Sequence, residues 1–135
     1  MSLSDPSRVL AGILLLSLAT VETGGVLLLR ILRGRHPATP LQQSFFRAGH
    51  AHAGVFLTLG LIAQVLVDAT DLTGFAEWLG RAGIPVAALL IPGGFFLSVT
   101  GREVTEPNRL FWLIPAGAVV LAAGVITLGI GLIVA

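Results

Sequence analysis

The chain has 135 residues, 55% hydrophobic and 11% charged, and its 17 glycines bring the apolar-plus-glycine share to about two thirds, well above the ~45–50% of a soluble domain. Eight arginines against seven acidic residues leave a net charge of +1, which excludes the basic surface that nucleic-acid binding requires. Cysteine, lysine and tyrosine are absent, so disulfides, thiolate metal sites and cysteine nucleophiles are excluded. The all-arginine basic set suggests a high-GC genome.

A soluble fold of this length cannot bury so much apolar surface, so the composition points to an integral membrane protein. A spanning helix needs about 20 residues with few charges, and the gaps between charges supply four. The first lies between Arg8 and Arg30, interrupted only by Glu22, and predicts a helix over 8–32. Its apolar run exceeds a signal-peptide core and its leading segment, with Asp5 and Arg8, is not positive, so it reads as a helix that stays. Gly34-Arg35-His36-Pro37 and Pro40 then mark a turn.

The second gap, between Arg47 and Asp68, predicts a helix over 44–68. It opens with Arg47-Ala48-Gly49-His50-Ala51-His52-Ala53-Gly54. At about 100° per residue, Arg47, His50 and Gly54 share a face within about 60°, whereas His50 and His52 stand about 200° apart. A helical metal pair wants a spacing of three or four, so His-x-His is a poor chelate here and no metal site is expected. Gln64 and Asp68 follow as secondary polar candidates, read as interfacial or bonded to their own helix.

The third gap, between Arg81 and Arg102, predicts a helix over 78–101. Pro92-Gly93-Gly94 at its middle predicts a kink, or a break that frees backbone groups at the bilayer midplane. The last gap follows Arg109 and predicts a helix over 109–134 whose Gly/Ala content suits close packing and whose side chains carry no charge. Trp78 and Trp112 fall near helix starts, as interfacial anchors. Residues 1–135 thus read as one membrane domain, an all-α bundle of four transmembrane helices. The first and third connections with their flanks hold six arginines against two elsewhere, which places them in the cytoplasm of a bacterial inner membrane and both termini outside.

An ionisable side chain within a span is a functional candidate by default. If the first two helices pair as a hairpin, Glu22, Arg47 and one of His50 or His52 can meet as a buried cluster, with the histidine exchanging protons near neutral pH. The small residues around the histidines also leave room for a flat ligand. Haem is the candidate cofactor, but bis-histidine ligation within one chain would need a second suitable imidazole, and the remaining one, His36, precedes Pro37 in a loop.

The Arg47–Gly54 segment, with Thr20-Val21-Glu22-Thr23-Gly24-Gly25 and Gly94-Phe95-Phe96, resembles a group of small, uncharacterised four-helix membrane proteins of high-GC bacteria, over most of the chain. That resemblance implies the architecture and no activity. Glu22 in helix one is similar to the membrane-embedded glutamate of small multidrug resistance exporters, which implies proton exchange for a cationic solute, although this chain lacks their tyrosine cage. Arg47-Ala48 is similar to part of the helix-two segment of microsomal glutathione transferase-like proteins, with His50 and Gly54 in place of its polar residues. His50-Ala51-His52 is similar to haem-binding helices of heme-copper oxidases.

The leading functional expectation is proton-linked transport or permeation of a small solute, with Glu22 as proton-binding carboxyl, His50 or His52 as relay and Arg47 setting the local field. The alternatives are a haem-, quinone- or glutathione-binding membrane enzyme or cofactor protein, and a non-catalytic accessory subunit of a larger membrane complex. No catalytic residue is named. Expected partners are the lipid bilayer, an unidentified small molecule and further copies of the chain, because the Gly/Ala-rich faces exceed what one small bundle needs.

Overall fold

The computed structural model describes residues 3–135, and among them there are four long helices and no strand. They are α1 (Asp5–Leu32), α2 (Pro40–Val67), α3 (Gly74–Leu97) and α4 (Leu113–Val134), the last entered through a 3₁₀ turn at Arg109–Trp112. All four are long and apolar enough to cross a membrane.

Local chemistry sets the helix starts. Ser4 caps α1, its hydroxyl accepting from the Ser7 N–H. Thr39 caps α2 through a capping box with Gln42, and Pro40 occupies the first turn where no N–H is needed; that is why α2 begins four residues before the expected start. Gly74 starts α3 with φ of 60°, a left-handed conformation that glycine adopts without strain. Asn108 accepts from the Leu110 N–H at 2.8 Å and opens the turn into α4.

The helices run alternately up and down. α3 packs between α2 and α4, and α1 packs on α2. On α1 the inward positions Ser7, Leu14, Val21 and Leu28 recur every seven residues, the repeat of a left-handed helix pair. Gly80, Ala87 and Gly94 on α3 and Gly117, Gly124 and Gly131 on α4 keep the same spacing and are all buried. Where backbone meets backbone most closely, a Cβ added to Gly83 would lie 2.7 Å from the Gly124 Cα, so only glycine lets the two backbones approach.

The core between the helix ends is apolar: Leu14, Phe56, Leu57, Ala63, Ile84, Ala87, Ala88 and Ile91. The buried polar side chains Ser7, Gln42, Gln64, Arg81 and Ser98 lie toward the two ends. At one end Gln42 donates to the Val99 and Gly101 carbonyls, both at 3.0 Å, and Thr39 donates to the Val104 carbonyl at 2.6 Å. These bonds tie the start of α2 to the α3–α4 connection.

Of the two expectations for Pro92-Gly93-Gly94, a kink or a break, the break does not occur. α3 contains Pro85 and Pro92 within a continuous helix, Pro92 is buried, and the Gly94 backbone packs against Ile114 at the start of α4. Neighbouring helices hold the segment helical despite the one backbone donor that proline removes.

Candidate functional site

The end opposite Gln42 is built around Arg81. Its side chain is 2% exposed, yet its guanidinium is well supplied with acceptors. Nη1 lies 3.1 Å from Asp68 Oδ1 and also donates to the Ser4 and Ser7 hydroxyls, while Nη2 donates to Glu77 Oε1 at 2.6 Å. Trp78 covers the guanidinium from 5.9 Å, a cation–π geometry.

Asp68 receives the Ser4 N–H and the Ser4 hydroxyl, each at 2.8 Å. The Ser7 hydroxyl lies 2.9 Å from the Gln64 carbonyl and 3.0 Å from Asp68 Oδ1, and its single proton serves one of them at a time. Gln64 donates to the Gly60 and Arg81 carbonyls, both at 3.0 Å. Three helices therefore meet on one ion pair, with α1 supplying serines, α2 the carboxylate and α3 the cation. Burial pushes the Asp68 carboxyl up, but the bonds from Ser4, Ser7 and Arg81 outweigh it and hold the group below its ordinary range.

In the sequence Gln64 and Asp68 stand as secondary candidates, whereas Arg81 marks only the boundary of the third uncharged stretch. α3 begins at Gly74 rather than 78, which puts Glu77 and Arg81 one helical turn apart. The i, i+4 Glu–Arg spacing was the available signal.

The four leading candidates are distributed differently. Glu22 is exposed on α1 and has no ion-pair partner among the described residues. Arg47 is exposed on α2, its Nε donating to the Gln43 carbonyl of its own helix at 3.2 Å. His52 turns toward α3: its ring centroid lies 5.2 Å from that of Phe95 and 5.5 Å from that of Phe56, and Nδ1 donates to the Ala48 carbonyl at 2.7 Å.

His50 turns toward α1. A Cβ added to Gly24 would lie 3.2 Å from its Nδ1, and one added to Gly25 3.5 Å from its Cε1, so this glycine pair makes the room the imidazole occupies. The half-buried ring borders a cavity of about 260 Å³ with Thr20, Val21, Thr23, Gly24, Ala53 and Phe96. Thr20 and Thr23 turn their hydroxyls back onto their own helix, to the Ser17 and Thr20 carbonyls at 2.6 Å, and both are exposed. The cavity therefore opens on the side of the bundle between α1 and α3, and its polar lining is the imidazole with the Thr20 and Thr23 hydroxyls, whose protons are committed to their own helix.

No family model, curated protein or solved structure matches the chain. What the chain can do follows from its own residues. His50 and His52 face different helices, so they do not converge on one iron, and among the described residues no group of three His, Asp or Glu side chains is placed to hold a metal. In the Arg81 node both terminal guanidinium nitrogens are bonded within the fold, although Arg81 Nε and Gln64 Oε1 are buried without a partner and a cavity of about 320 Å³ lies beside Ser4, Asp68, Glu77 and Arg81. The half-buried His50 ring has no hydrogen-bond partner among the described residues. A larger cleft of about 900 Å³ separates the two connections at the Gln42 end. It is lined mainly by exposed loop residues, and the one buried polar side chain in it, Gln42, is committed to backbone bonds.

Proposed function

We propose that the protein is a multi-pass membrane protein whose side pocket binds the ring of a lipophilic small molecule carrying a carbonyl or hydroxyl oxygen, a compound of the quinone class. The observation that carries this reading is the half-buried His50 imidazole, without a hydrogen-bond partner among the described residues and bordering a cavity open to the side of the bundle. Ligand sites join an apolar lining to a few placed polar groups and commonly measure about 300–1,000 Å³. At about 260 Å³ this cavity suits a single ring, with the apolar tail lying outside along α1 in the acyl chains. Phe96 supplies a flat apolar wall and His50 the hydrogen bond.

The experiment is thermal unfolding in lipid nanodiscs with decylubiquinone as probe. A ligand that binds the folded state at 100 times its Kd stabilises it by about 2.7 kcal/mol. Wild-type protein is expected to unfold at a higher temperature with the probe, and His50→Leu to show no shift. Absence of a shift in the wild type, or an equal shift in both proteins, would contradict the reading.

A second reading, proton-linked transport with Glu22 as the proton carrier, draws on depth. Counted from the helix ends at Leu32 and Pro40, Glu22 and His50 both lie about 15 Å along their helices. Its weakness is that Glu22 and Arg47 both face outward while the centre of the bundle is apolar. Loss of pH-driven flux from liposomes in Glu22→Gln would favour it.

A further inference from the structure

Glu22 and Arg47 are both exposed, and neither has an ion-pair partner among the described residues. Helical geometry puts them on one face of the molecule. On α1 the cavity residue Thr20 lies about 100° to one side of the inward-facing Val21, and Glu22 lies about 100° to the other. On α2, Gly49 packs against Phe95 and Phe96 of α3 and lies about 100° from His50, whereas Arg47 lies about 60° from His50 in the opposite sense. The two charges therefore flank the α1–α2 seam on the side away from α3 and away from the His50 cavity. Glu22 stands about 15 Å from the Leu32 end of α1 and Arg47 about 10 Å from the Pro40 end of α2, a difference that an extended arginine spans.

This face is complementary to itself. A two-fold axis along the membrane normal, in front of the α1–α2 seam, sets α1 of one copy against α2 of the other at unchanged depth. Each Glu22 then faces the Arg47 of the second copy, and the contact occurs twice, as an isologous interface requires. A carboxylate and a guanidinium at this depth have a strong preference for protein contact over acyl chains. Small residues support a close approach: a Cβ added to Gly54, two turns beyond Arg47 on the same face, meets nothing within 4 Å.

We infer that the protein forms a two-fold homodimer through the exposed α1–α2 face, held by reciprocal Glu22–Arg47 ion pairs. The inference rests on the four helices being membrane spans, and is independent of what the His50 cavity binds.

The test uses charge exchange between separate chains in membranes that resist alkaline extraction, which establishes insertion apart from pairing. A chain carrying Glu22→Arg presents two cations to its twin, and a chain carrying Arg47→Glu presents two carboxylates. Each alone is expected to be monomeric by native mass spectrometry from nanodiscs, and the two co-expressed with different tags are expected to co-purify one to one. Pairing of Glu22 with Arg47 inside one chain cannot restore association between two such variants. A second measurement leaves the charges intact. The chain has no cysteine, so Gly54→Cys, which lies diagonally opposite its twin across the two-fold, should be joined to it in membranes by a short bismaleimide linker, while Val119→Cys, exposed on α4, should not. A monomeric wild type, single variants that still dimerise, tagged variants that fail to co-purify, or equal cross-linking at both cysteines would each overturn the dimer.

Discussion

Arg81 Nη1 lies 3.1 Å from Asp68 Oδ1, and the two side chains are 2% and 8% exposed. The pair joins the start of α3 to the end of α2, and Ser4 and Ser7 bring in α1. Removing one member of a buried pair strands the other charge, at a cost of about 3–5 kcal/mol, whereas replacing both with packed apolar groups is often neutral. Arg81→Met is therefore expected to lower stability by about that amount. Arg81→Met combined with Asp68→Leu should recover part of it, and denaturant titration in mild detergent measures both.

The same carboxylate gives a pH dependence with a definite sign. Asp68 is held below its ordinary value of 3.8 because its donors outweigh burial. A group lowered in the folded state contributes stability that is present above the unfolded value and lost as pH falls through the folded one. The contribution of this group should thus be constant from pH 7 to about 5 and decline below about 4. Unfolding midpoints measured from pH 7 to 2 should show that decline in the wild type, and a flatter acid limb in Asp68→Asn.

The α3–α4 seam predicts a contrast between glycines. A Cβ at Gly83 would meet the Gly124 Cα at 2.7 Å, whereas one at Gly129 meets nothing within 4 Å. Overpacking a closed interface costs about 1–3 kcal/mol, while glycine to alanine at a compatible helical site is neutral or stabilising by up to about 1 kcal/mol. Gly83→Ala should therefore lower the melting temperature, and Gly129→Ala should leave it unchanged or raise it.

Gly24 controls the room beside His50. An added Cβ would lie 3.2 Å from Nδ1 and the cavity wall would move inward. Gly24→Val should abolish decylubiquinone binding, read by titration in nanodiscs, while keeping the helical circular-dichroism signal. Ala51→Val, exposed on another face of α2, should leave binding unchanged.

The four helices were legible in the sequence because charges and turn residues bracket each apolar run, and Trp112 falls at the entry to α4. The rotation of each helix was harder to read. α1 carries leucine and valine on every side, so the seven-residue register of Ser7, Leu14, Val21 and Leu28 is weak against that background, and Glu22 appeared central although it faces outward. Arg81 was missed because its role depends on where α3 begins, and that start is set by Gly74 in a left-handed turn. His50 was found, but its partners on α1, Gly24 and Gly25, act by lacking side chains, which pattern reading registers only as permission to pack.

The measurement that bears most directly on the His50 site is photolabelling of the reconstituted protein with an azidoquinone, followed by peptide mapping. The account predicts label on residues 20–24 of α1 and 50–53 of α2, displaced by decylubiquinone and lost in His50→Leu. Label confined to the Arg81 end or the connecting loops, or undiminished in His50→Leu, would contradict it.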